Sequence, residues 1–187
     1  DEGLGDRGVE DAAGELVGRA AKVDAARRAG ADHVIDASRG SLFREAERLS
    51  PEGYDVILDA NGPSTLKASY EHLRPGGRLV VYGFHSMLPK SGGRPSFAKL
   101  ALEWLRVPRF DPLRMTGENR SVLAFNLSYL FERKDLLGLA MTDLLRWVDE
   151  GRLAAPSVTE HAFDRVADAH RALESGTTTG KLVLRVR

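Results

Sequence analysis

Cysteine is missing from all 187 residues. Its absence excludes disulfides, thiolate catalysis and cysteine-ligated zinc, and it suits a reducing compartment. An excess of either charge is missing too, since 27 Lys and Arg face 27 Asp and Glu. A balanced chain has no general electrostatic attraction to nucleic acid or to anionic membrane. No apolar run approaches the roughly 20 residues of a membrane helix. The opening Asp1-Glu2-Gly3 is not the basic start of a signal peptide. These features predict a cytoplasmic protein with no nucleic-acid partner. With 42% hydrophobic and 29% charged residues, the chain can bury a core and stay dissolved.

Residues 1–17 hold six acidic groups, one arginine and four glycines, with no clear period. We set them apart as an atypical acidic segment. From residue 18 to 187 the pattern is that of one domain. Lys22 to Arg28 reads as a helix stopped by Gly30, and His33 to Asp36 as a strand. Ser41 is placed to cap a helix with Leu42, Ala46 and Leu49 on one face. Tyr54 to Ala60 is a compact apolar run, the mark of a strand buried on both sides. Ser64 is placed to cap a helix through Leu73, ended by Pro75-Gly76-Gly77. Arg78 to Gly83 is a further buried strand. This alternation predicts a parallel sheet with right-handed crossovers.

Residues 84–119 form a Gly- and Pro-rich insertion around a short amphipathic helix, Phe97 to Arg106, bearing Trp104. Ser121 to Ser128 returns as a strand. Asp135 to Glu150 is the strongest helix, with an apolar face that includes Leu136, Leu144 and Val148. Ser157 to Phe163 alternates as a strand. Asp164 caps a helix ended by Gly176, and Lys181 to Val186 closes as a strand.

In an open parallel sheet, ligands bind outside the carboxyl ends of the strands. Gly18, Arg19 and Lys22 follow the first of these ends, where an adenosine ribose would be read. An acid there would hold a ribose 2′-hydroxyl, whereas cations suit a 2′-phosphate and hence NADP. Against this stands the bland alternative of solvated surface charges. Asn61 follows a strand, and its amide can reach a ribose or phosphate, although a plain turn residue is an equal reading. Phe125, Asn126 and Leu127 can present backbone groups to a nicotinamide carboxamide, or simply belong to a core strand.

Gly3-Leu4-Gly5-Asp6-Arg7-Gly8 matches the G-x-G-x-x-G pyrophosphate motif. No strand precedes it, and Asp1, Glu2 and Asp6 would repel phosphate. The five histidines, at 33, 72, 85, 161 and 170, share no ligand spacing, so no metal site is expected. No G-x-S-x-G nucleophile motif occurs. Lys90, Arg94, Lys99, Arg106, Arg109 and Arg114 gather in the insertion. They read either as a membrane or partner contact or as a solvated surface.

The stretches Lys22 to Arg27, Gly30 to Asp36, Tyr54 to Asp59 and Leu73 to Val80 resemble the medium-chain dehydrogenase/reductase superfamily. So does His170-Arg171-Ala172-Leu173-Glu174-Ser175 followed by Thr179 to Leu184. Within it, the chain is similar to the quinone oxidoreductase branch. The insertion and Asn119 to Leu127 look most like its VAT-1 subgroup. The resemblance covers residues 18–187. It implies a Rossmann-type α/β fold, a parallel sheet with helices on both faces, here without its first strand and Gly-rich loop. It also implies an NADPH cofactor, a small quinone or enone substrate in the intact protein, no catalytic zinc, and a homodimer. By the same resemblance Gly18, Arg19 and Lys22 meet the 2′-phosphate. Asn61, Tyr82 and Gly83 line the cofactor groove, Phe125, Asn126 and Leu127 flank the nicotinamide, and Lys181 lies near the closing edge. Where many of these enzymes place a tyrosine against the adenine, this chain has Ala37. The family's amino-terminal substrate domain is also absent from residues 1–17. Two other readings compete. One is a non-catalytic module for oligomerisation or for membrane or partner attachment. The other is a methyltransferase, suggested by the strand sequences alone.

Overall fold

Alternating short strands and helices follow from the way glycines and apolar runs punctuate the chain. The computed structural model describes residues 14–17, 22–87 and 97–186. In order they form β1 Gly14–Val17, α1 Val23–Arg28, β2 His33–Asp36, α2 Leu42–Leu49, β3 Tyr54–Asp59, α3 Leu66–Glu71 and β4 Leu73–Val81. There follow α4 Phe97–Arg106, α5 Pro112–Glu118, β5 Ser121–Ala124, α6 Lys134–Asp149, β6 Val158–Ala162, α7 Val166–Ser175 and β7 Lys181–Arg185. Every strand pairing is parallel. The chain is thus α/β with parallel strands, as its alternation predicts.

Two compact units divide the chain, Asp1–Glu45 with Pro156–Arg187, and Ala46–Ala155. This differs from the sequence division at residue 17, because β1 pairs with β2 and joins the first unit. The strands lie in sheets of two, three and two rather than in one continuous sheet.

In the first unit, β1 and β2 run from Gly14 beside His33 to Val17 beside Asp36. Helix α1 carries Asp24 in its first turn and Arg27 and Arg28 in its last, which suits the helix dipole. It buries Ala26. Strands β6 and β7 pair from Val158 and Lys181 onward, and α7 connects them. Asp164 does not cap α7. A short 3₁₀ turn, Phe163–Arg165, intervenes, and Arg165 takes the cap position without a side-chain bond. Asp168 instead ties down both Arg165 and Arg171.

In the second unit, the sheet order is β3-β4-β5. Leu66, Tyr70, Leu73, Leu79 and Val81 form the core, with Ile57, Phe110, Met115 and Val122 packed around it. Leu79 is wholly buried, a burial that contributes about 2 kcal/mol. Strand β3 is not buried on both faces. Val56 and Leu58, on one face, are 50% and 66% exposed, while Ile57 on the opposite face packs against the core. Helix α3 begins later than its sequence predicts, at Leu66, after Thr65 rather than Ser64. It ends at Glu71, so Pro75-Gly76-Gly77 lies within the irregular start of β4.

The insertion carries a second helix that the Gly and Pro content disguised. Asp111 accepts the Leu113 amide at 3.0 Å, Pro112 opens α5, and Asn119 closes it with φ +53°. An Asp-Pro cap followed by a left-handed asparagine is a legible start and stop. Strand β5 also ends earlier than expected, at Ala124. Asn126 accepts the Ser128 amide at 3.0 Å and starts a 3₁₀ turn, Leu127–Leu130, that diverts the chain.

Candidate cofactor groove at the carboxyl ends of the strands

The three-stranded sheet brings the ends of β3, β4 and β5 side by side. Asp59 beside Val81, and Val81 beside Ala124, fix that alignment. Asn61, Tyr82, Gly83, Phe125, Asn126 and Leu127 all leave the sheet at this end. Backbone bonds then stitch the departing loops together. Tyr82 N–H donates to Asp59 C=O at 3.0 Å, His85 N–H to Ala60 C=O at 3.0 Å, and Ser86 N–H to Asn61 C=O at 2.9 Å. Phe125 N–H donates to Val81 C=O at 3.1 Å.

Asp59 organises the first of these loops. It is 3% exposed. One carboxylate oxygen accepts the amides of Asn61 and Gly62 at 2.8 and 3.0 Å. The other accepts the hydroxyls of Thr65 and Ser69 at 2.7 and 2.8 Å. Four donors satisfy a buried charge that would otherwise be very costly. They also turn the loop's amides inward, so the polar group that Asn61 has left to offer is its side chain. That carboxamide has no partner among the described residues, and Asn61 is half-buried.

Two glycines let the loops close. A Cβ on Gly83 would stand 2.8 Å from the Ala60 carbonyl oxygen. Gly62 has φ +83°, and a Cβ there would stand 2.7 Å from the Phe84 ring. Both therefore serve the approach of one loop to the other. The aromatic side chains face out. Tyr82 and Phe125 stack with centroids 6.4 Å apart and planes at 18°. Both are about half exposed, as is Phe84. An exposed stacked pair of this kind presents a flat apolar face at the carboxyl end of the sheet.

Lys22 belongs to the first unit, where it stands half-buried at the cap position of α1. Gly18 and Arg19 lie outside the described residues, as do the glycines at 3, 5 and 8. Lys181 opens β7, at the amino end of that strand, and its amide donates to Ser157 C=O at 2.8 Å. Sequence reasoning missed Asp59, read only as the end of an apolar strand. The clue was present, since Thr65 and Ser69 follow Asp59 at spacings that place both hydroxyls on its carboxylate.

Two shallow cavities lie elsewhere. One, of about 150 Å³, is lined by residues including Tyr70, Phe110 and Arg114. The other is lined by Gly76, Asn119, Arg120 and neighbours. Neither includes the groove residues. Among the described residues no group of three or more His, Asp or Glu is placed to hold a metal. No helix among them is long and apolar enough to cross a membrane.

Parallel strands joined by helices define an α/β domain of the kind that receives ligands at the carboxyl ends of its strands. The sequence profile of the family described as zinc-binding dehydrogenase matches residues 29–184, and the chain belongs to that family. It is 29% identical over 165 residues to the synaptic vesicle membrane protein VAT-1 homolog of Danio rerio, covering 88% of this chain and 34% of that protein. It is 27% identical over 174 residues to a probable quinone oxidoreductase of Leishmania amazonensis, covering 89% and 46%. The chain thus spans between about a third and a half of the length of these relatives. Among solved structures, human VAT-1 homolog-like protein superposes with a TM-score of 0.65 at 20% identity, covering 94% of this chain and 45% of that one. Escherichia coli quinone oxidoreductase, solved as a complex with NADPH, superposes with a TM-score of 0.66 at 21% identity, covering 92% and 49%.

Proposed function

We propose that this chain is the NADP(H)-binding part of a zinc-independent quinone or enone reductase. The single observation that carries the reading is the shared carboxyl end of β3, β4 and β5, within a chain of dehydrogenase ancestry. There, Asn61 offers its carboxamide, and Tyr82 and Phe125 offer a stacked aromatic wall. Bound dinucleotide supplies the hydride, and the protein supplies position and electrostatics. Asn61 holds a polar edge of the cofactor. Tyr82, Gly83, Phe125, Asn126 and Leu127 shape the nicotinamide end. Gly18, Arg19 and Lys22 meet the 2′-phosphate, while Lys181, at the amino end of β7, stands apart from the strand ends that receive ligand. Two relatives support the cofactor and substrate class, the probable quinone oxidoreductase and the quinone reductase solved with NADPH. A cytoplasmic, homodimeric protein completes the proposal.

Fluorescence titration with NADPH and NADH tests it. The expected result is saturable NADPH binding, at least about tenfold tighter than NADH, as a charge-assisted contact to one extra phosphate provides. Equal affinities would remove the assignment of Arg19 and Lys22.

A second reading, a non-catalytic attachment module, is favoured by one feature. Helix α4 leaves Phe97, Trp104 and Leu105 at 84%, 66% and 73% exposed. Family membership supports neither this reading over the first nor the methyltransferase reading.

A further inference from the structure

We propose that Arg39 recognises the adenosine 2′-phosphate, and that Asp36 is the group that aims it. The inference rests on the NADP reading above and adds a residue to it.

The register of the two-stranded sheet sets the place. Val17 lies beside Asp36, so the turn after β2 starts level with the carboxyl end of β1. The carboxyl ends of parallel strands are where such a fold receives its ligand. The turn after β2 is built around one carboxylate. Ser38 donates its amide to Asp36 Oδ1 at 2.9 Å and its hydroxyl at 2.6 Å. Arg39 N–H donates to Asp36 C=O at 3.1 Å, which closes the turn. The Arg39 Nε then stands 3.2 Å from Asp36 Oδ2.

The consequences for charge and shape differ for the two partners. The Asp36 side chain is only 9% exposed, and the bonds from Ser38, with Arg39 adding to them, hold its carboxyl below the usual carboxylate range. It is ionised, its Oδ1 is taken by Ser38, and its buried Oδ2 has no hydrogen-bond partner among the described residues and faces the Arg39 guanidinium as an ion pair. The acid of this turn is thus turned inward, toward Ser38 and Arg39. Arg39 is 79% exposed. Its Nε is engaged, and its two amino groups have no partner among the described residues. A guanidinium held by one edge keeps the rest of its fork for a phosphate. Ala37 contributes a methyl group, and a Cβ on Gly40 would meet no atom within 4 Å. Where the family resemblance places an aromatic ring on the adenine, this chain therefore presents a planar cation two residues later.

The test uses the whole chain, titrated with NADPH, NADH and 2′,5′-ADP, for the unsubstituted protein, Arg39→Ala and Arg39→Glu. Because Arg39 is exposed, neither substitution touches the core, and a thermal melt checks that the fold persists. The expected result is that Arg39→Ala weakens NADPH and 2′,5′-ADP by roughly ten- to a hundredfold, while NADH changes by less than about twofold. Arg39→Glu reverses the preference for NADPH. A shallower salt dependence of NADPH binding accompanies the loss of the cation. If the unsubstituted protein prefers NADPH and Arg39→Ala keeps that preference, this inference is overturned and the cofactor reading stands. If the unsubstituted protein binds none of the three, both fall.

Discussion

Asp59 shows how one side chain can set a site without touching a ligand. Its carboxylate takes two amides and two hydroxyls, so its replacement has two distinguishable outcomes. Asp59→Asn keeps one oxygen for the amides of Asn61 and Gly62 and turns its NH₂ toward two hydroxyls able to accept. It is expected to cost under about 1.5 kcal/mol and to retain cofactor affinity. Asp59→Ala removes the acceptor of four donors, two of them buried, and is expected to cost roughly 3–5 kcal/mol, read by urea unfolding. Equal costs for the two would show that the four bonds do not matter. Elsewhere, Glu118 accepts Arg114 Nε at 2.8 Å and the Tyr70 hydroxyl at 2.8 Å. The Arg114 bond, then that of Tyr70, lowers the Glu118 carboxyl below its ordinary value. Burial first, then Glu118, raises the Tyr70 phenol. A lowered acid stabilises the fold above its unfolded value near 4.3 and loses this as pH falls through the folded value. A raised phenol stabilises below about 10 and loses this as pH rises further. Urea midpoints are therefore expected to be flat between about pH 5 and 9 and to drop on both sides. Glu118→Gln should flatten the acid limb, and an unchanged limb would clear Glu118 of that role.

Whole elements explain most of what the sequence made legible. Strand β2 coincides with its apolar run, and α4 with its amphipathic pattern. Local chemistry dictates such short elements. The errors fall where a side chain competes with the backbone. Asn126 ends β5 by accepting an amide, and Thr65 rather than Ser64 precedes α3 because Asp59 takes its hydroxyl. Periodicity is blind to both. Helix α4 carries the attachment reading, and its surroundings limit that reading. Lys90 and Arg94 lie outside the described residues. Arg106 is paired with Glu103, and Arg114 with Glu118. With these cations neutralised, vesicles containing phosphatidylserine are expected to leave the chain in the supernatant. Pelleting that Trp104→Ala abolishes would restore membrane attachment through the exposed apolar face.

At the scale of the molecule, binding of NADPH should stabilise the folded chain by mass action. At a hundred times the dissociation constant the gain is about 2.7 kcal/mol, and thermal melts should rise with NADPH and much less with NADH. Equal rises would argue against a 2′-phosphate site, and no rise with either would argue against the groove. The sequence by itself determined the class of architecture, because alternating apolar runs and glycine stops are local codes for strand and helix. It also determined the dehydrogenase ancestry, through motifs spread over most of the chain. Only the tertiary structure decided which residues meet. Asp59 and Asn61 lie more than twenty residues from Tyr82 and more than sixty from Phe125, and parallel pairing of β3, β4 and β5 brings them to one end. Only the structure, too, decided which of the acids and cations are already spent on one another. That balance depends on side-chain geometry around Asp36 and Asp59, which composition and periodicity do not record.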